Sequence, residues 1–90
     1  MLTTRQVKAI RNEYLRPDIL RFSRDGGQIT LKRSYVRSKS PDTDYVGRQM
    51  QRELDRVVAR IAPGTKVSLA SAAALENFGT VHFTVTFSFS

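Results

Sequence analysis

The chain contains no cysteine and a single histidine, His82, among 90 residues. Without cysteine there are no disulfides and no thiolate metal sites, and cysteine usage carries no information on the redox compartment. With one histidine there is no cluster of nitrogen ligands, so neither a metal centre nor another cofactor is expected. Nucleophilic catalysis needs a base beside the nucleophile and a third group that orients the base. His82 with Thr80, Thr84 or Thr86 supplies only part of that set, so the expectation is that the protein is not an enzyme. Long apolar runs are also missing. Nothing approaches membrane-spanning length, and the N-terminus lacks the apolar core of a signal peptide, which points to a cytoplasmic protein. Gly26-Gly27 is not a phosphate loop, because it joins two expected strands instead of opening a helix.

What remains is an ordinary globular composition, 40% hydrophobic and 26% charged, in a length that suits one domain, residues 1–90. The charge is uneven. Residues 1–39 hold ten Lys/Arg and three acids, a net +7, whereas residues 40–90 hold five of each and sum to zero. Asymmetry of this kind suggests an anionic partner for the first half, the plain alternative being a solubilising surface.

Periodicity divides the chain into elements. Residues 3–15 read as a helix, with Thr3 and Gln6 at capping-box spacing and Leu2 and Val7 at hydrophobic-staple spacing. Val7, Ile10 and Tyr14 fall on one side of it; Arg5, Lys8 and Arg16 fall on the other, and Pro17 ends it. Asp18 to Arg37 reads as a hairpin. A two-residue turn at Asp25-Gly26 would set Arg24 opposite Gly27, Phe22 opposite Ile29 and Leu20 opposite Leu31. Arg21 and Lys32 then share the outer face with Ser and Thr, and Lys39 follows Arg37 in a polar connection.

A second helix is expected from about Pro41 to Ala62, with Ser40 as N-cap and an apolar stripe of Val46, Met50, Leu54, Val57, Val58 and Ile61. Arg48, Arg52, Arg56 and Arg60 recur every four residues along another side. Asp44, Glu53 and Asp55 are spaced to pair with Arg48, Arg56 and Arg52, so the ladder reads mainly as a salt-bridged surface. Pro63-Gly64 stops this helix. Lys66–Ala70 and Thr80–Ser90 alternate as strands, the second with Val81, Phe83, Val85, Phe87 and Phe89 on one face. Residues 71–78 fit either a strand extension or a short helix, and hairpin economy favours the strand.

The expected fold is therefore α+β: a two-layer α/β sandwich in αββαββ order, a four-stranded antiparallel sheet with two helices on one face. The expected function is non-catalytic binding of an anionic partner, the backbone of nucleic acid or a nucleoprotein complex. The named residues are Arg5, Lys8, Arg16, Arg21, Lys32, Arg37 and Lys39. Strand phenylalanines point to the expected core, Phe78 excepted, so a sheet platform for base stacking is not expected and the contacts should be mainly to phosphate. The alternatives are an inhibitor or adaptor of phage or mobile-element type that meets an acidic protein surface, and a structural subunit of a larger assembly. The last strand, if it lies at a sheet edge, offers a route to a homodimer.

Overall fold

The computed structural model describes residues 2–14, 19–23 and 26–90, the side chains of Ile19, Leu20 and Arg21 excepted. Helix α1, Thr4–Asn12, starts at a complete capping box: the Gln6 amide donates to the Thr3 hydroxyl, and the Thr3 amide donates to the Gln6 side chain. Strand β1, Ile19–Phe22, and strand β2, Gln28–Val36, follow. A 3-10 turn, Arg37–Lys39, leads to helix α2, Thr43–Ile61, and the chain closes with β3, Val67–Asn77, and β4, Thr80–Phe89. The α+β class is as expected.

The sheet corrects the expectation of a four-stranded sheet. The long strands number three, antiparallel in the order β2-β4-β3, with α2 packed against β3 and β4 and α1 packed against α2. β1 is a four-residue appendage that pairs with β2 alone, and its register shifts between Ile19 and Arg21. Ser23 N donates to Gln28 O and Gly26 N donates to Ser23 O, and the expected pairing of Arg24 with Gly27 lies outside the described residues. Phe22 still faces Ile29, but beyond the bulge Ile19 takes the place expected for Leu20 opposite Leu31. The expected Asp25-Gly26 turn, the stop at Pro17 and the burial of Leu20 lie outside the described residues.

Two further expectations change. α2 begins at Thr43, not Pro41, because Asp42 sits in extended geometry and its carboxylate accepts from the Tyr45 amide at 2.7 Å. Asp outcompetes Ser40 as a cap because it also meets the positive end of the helix dipole with a charge. Second, β4 is not an edge strand. It lies between β2 and β3, so its backbone is paired on both sides and β3 is the open edge. A homodimer through the C-terminal strand therefore loses its premise.

The core is the seam between α2 and one sheet face. Ile29, Leu31, Phe83, Val85, Phe87 and Phe89 meet Val46, Met50, Leu54 and Val58, and α1 adds Ile10. Gly47 lets α2 come close to Leu69, and a Cβ there would lie 3.7 Å from Leu69 Cδ2, an ordinary contact. Gly26 is different. Its φ is +68°, and a Cβ would sit 2.6 Å from the Leu2 carbonyl oxygen, so only glycine lets Leu2 tuck beneath the hairpin. Beside the core, Arg33 and Glu53 form an ion pair at 2.5 Å. Burial works against the Arg33 charge, but the hydrogen bond and charge of Glu53 outweigh it and raise its pKa. The Tyr14 hydroxyl is buried close by without a hydrogen-bond partner among the described residues, and burial, with Glu53 adding to it, pushes its pKa up to about 12.

Candidate nucleic-acid interface

The sequence-derived basic residues do not form one patch. β2 runs nine residues, about 27 Å at the usual rise per residue. α1 is tied to one end of it, where Leu2 N donates to Gly26 O. Arg5 and Lys8 are exposed there on α1. Arg37 and Lys39 lie at the opposite end, in the turn that follows Val36. Lys32 lies between them in sequence but on the outer face of the sheet, since its neighbour Leu31 points into the core. Arg16 and the side chain of Arg21 lie outside the described residues. Arg37 is also engaged by Glu76 of β3 at 3.1 Å.

Ion pairing, however, leaves more cation free than the sequence suggests. Among described side chains there are twelve cations and six carboxylates, and three ion pairs join them: Arg33–Glu53, Arg37–Glu76 and Arg60–Glu13. Nine of these cations and three of these carboxylates are left without an ionic partner among the described residues. The expected pairs along α2 are not among those formed: Glu53 turns to Arg33 instead of Arg56, and Asp44 and Asp55 join no ion pair among the described residues. Arg48, Arg52 and Arg56 are exposed with no carboxylate partner among the described residues, spaced over about 12 Å of helix. On α1, Lys8 and Arg11 border a cleft of about 550 Å³ with Thr3, Thr4, Val7 and Phe22. The Arg11 guanidinium lies 5.5 Å over the Phe22 ring, a cation–π contact that fixes its direction.

The outer sheet face is mainly polar where β2 meets β4. The register sets Thr30, Lys32 and Ser34 of β2 beside Thr86, Thr84 and His82 of β4, with Ser71, Ala73 and Leu75 of β3 on the far side. Thr30 and Thr86 share a hydrogen bond at 3.0 Å, and Ser34 Oγ lies 2.7 Å from His82 Nδ1. Ser34 thus gives His82 the hydroxyl that a nucleophile–base pair needs. No orienting carboxylate comes from β3: Glu76 is opposite Val81 on the other face and is held by Arg37. Among the described residues no group of three or more His, Asp or Glu is placed to hold a metal ion. No described helix is long and apolar enough to cross a membrane.

The feature that sequence reasoning left unassigned is the tip of the β3–β4 hairpin. β3 is exposed from Ser68 to Asn77, so the hairpin projects past the helices. Its two central turn residues, Phe78 and Gly79, have φ of +50° and +77°, as a type I′ turn requires. Phe78 is 98% exposed, and Leu75 and Val36 nearby are 68% and 63% exposed. Arg37 N donates to Gly79 O at 2.9 Å, which brings the basic 3-10 turn against the tip. The signal was present in Asn77-Phe78-Gly79, where glycine marks the second turn position and phenylalanine occupies the first.

Compared with known proteins, the chain matches no family model, no curated protein and no solved structure.

Proposed function

We propose that this is a non-catalytic nucleic-acid-binding protein that holds the sugar–phosphate backbone through cations distributed over several faces. The observation that carries the reading is the charge left after pairing, nine cations against three carboxylates among described side chains. Such an excess draws in a polyanion and gives up counterions on contact. Hydroxyls of the outer sheet face supply further donors to phosphate oxygens. Compared with the sequence expectation, the contact set gains Arg11, Arg48, Arg52 and Arg56, and Arg37 contributes less because Glu76 shares its charge.

The test is fluorescence anisotropy of labelled single-stranded and duplex oligonucleotides over a salt series. Binding that weakens with log salt at a slope of about −2 to −4 is expected, which for single strands corresponds to about three to six phosphate contacts. Replacing Arg48, Arg52 and Arg56 together with glutamine reduces the slope by about 2 if all three touch phosphate. A flat salt dependence, or no binding at low salt, rejects the reading.

A second reading, an acidic partner that adds an extended strand to β3, is favoured by the open β3 edge. That strand carries no charge from Val67 to Leu75 and no proline. Nuclease-treated pull-downs distinguish the two, since a protein partner survives the treatment.

A further inference from the structure

We infer that Phe78 is a base-stacking anchor that directs the protein to single-stranded nucleic acid; this rests on the nucleic-acid reading above. A ring in this position needs an explanation. Phenylalanine is poorly suited to a left-handed turn position that asparagine, aspartate or glycine fills readily. It buries nothing in its own chain, being 98% exposed. A residue that contributes neither turn geometry nor core packing, at the far end of a projecting hairpin, is placed to meet something else.

The surroundings select the occupant. Glu76 is the sole carboxylate between Val67 and Phe89, and Arg37 neutralises it. Lys39 follows in the 3-10 turn that is hydrogen-bonded to the tip. Behind the ring, Thr80, His82 and Ser34 line the outer face with donors that suit sugar and phosphate, and the exposed Leu75 and Val36 flank them. An acyl-chain or apolar protein pocket would leave these polar groups unmatched. A nucleotide matches both parts, since its base offers a π-face to the ring and its phosphate meets Lys39. Duplex bases already stack on one another, so the ring finds a free face in a single strand.

The experiment uses the full chain with a thymidine 20-mer and an abasic sugar–phosphate 20-mer of the same charge. Phe78→Ala and Phe78→Asn, the second well suited to the turn, are expected to weaken binding to the thymidine oligomer by about 5- to 100-fold. Affinity for the abasic oligomer should not change. The chain has no tryptophan, so Phe78→Trp installs a sole indole at the tip, and stacking should quench its fluorescence on titration with the thymidine oligomer. Wild-type affinity in both variants, or an unquenched indole while binding proceeds, overturns the anchor and leaves the backbone reading standing. Failure of the wild-type chain to bind either oligomer at low salt removes both. A blue shift on vesicles of phosphatidylserine and phosphatidylcholine, with none on the oligomer, overturns it in favour of a membrane surface.

Discussion

Replacing Phe78 with glycine should make the protein more stable, against the usual result of removing a large apolar side chain. A left-handed backbone disfavours a residue with a Cβ by about 1–2 kcal/mol, and glycine escapes that penalty. Deleting the ring loses little packing, since 98% of the residue is already in water. Against this, glycine adds freedom to the unfolded chain, worth about 0.4–1 kcal/mol. The net expectation is a gain of about 0.5–1 kcal/mol, or about 2–8 °C in melting temperature for a domain of this size. Urea unfolding followed by circular dichroism reads it as a higher midpoint at unchanged slope. Greater stability together with weaker single-strand binding is the pattern of a residue kept for contact with a ligand. A loss of stability in Phe78→Gly would refute the reasoning, because the ring would then be holding the hairpin together.

Three other substitutions probe the fold. Gly47→Ala should stabilise by about 1 kcal/mol, because alanine is the better helix former and its methyl lands 3.7 Å from Leu69; a lower thermal midpoint would mean that this contact is not an ordinary one. Gly26→Ala should destabilise by about 1–3 kcal/mol, since a Cβ 2.6 Å from the Leu2 carbonyl must displace backbone already at positive φ; an unchanged urea midpoint would mean that the N-terminal contact gives way freely. For Tyr14, the pKa of about 12 in the folded chain against an ordinary value of 10.0 means that the folded state keeps the phenol proton longer. Its contribution to stability is whole below pH 10 and is lost as pH rises towards 12. Tyr14→Phe should abolish that part of the alkaline decline and stabilise at pH 7 by about 1 kcal/mol, by removing a buried hydroxyl without a partner; equal alkaline slopes for the two proteins would show that another group titrates there.

Local patterns were legible because their partners are near in sequence. The Thr3–Gln6 capping box, the α2 stripe and the alternation of β4 each lie within a few turns or one strand, and each is present. Ion pairing was misread because spacing displays local partners alone. Glu53 finds Arg33, Glu13 finds Arg60 and Glu76 finds Arg37, across loops and between layers. Arg48, Arg52 and Arg56 are therefore expected to be neutralised within the helix, yet have no ionic partner among the described residues, whereas Arg60 pairs with Glu13. The edge of the sheet was misplaced for a related reason. Alternation tells which face of a strand is buried, not which neighbour it has. A better cue lay in composition: β4 buries three phenylalanines, whereas β3 offers a run of small residues with little to bury, which suits an edge.

How a strained phenylalanine persists at the tip follows from what lies behind it. From Gln28↔Ser88 to Val36↔Thr80, β2 and β4 pair without a break, and the lower half of this ladder carries Phe87, Val85 and Leu31 in the core. β3 closes the other side as far as Asn77↔Thr80, and Arg37 adds its amide bond to Gly79 O. The turn is thus fixed from both strands and from the 3-10 segment, so relaxing Phe78 would mean breaking ladder pairs anchored in the core. The same connection makes the tip a rigid arm. An aromatic ring on a flexible loop would forfeit part of any stacking energy in being ordered, whereas one at the end of an unbroken ladder is already ordered before it binds. Loosening the ladder well away from the ring, for instance with Thr84→Pro, which removes the backbone N–H of a central strand, should weaken single-strand binding while leaving the ring in place.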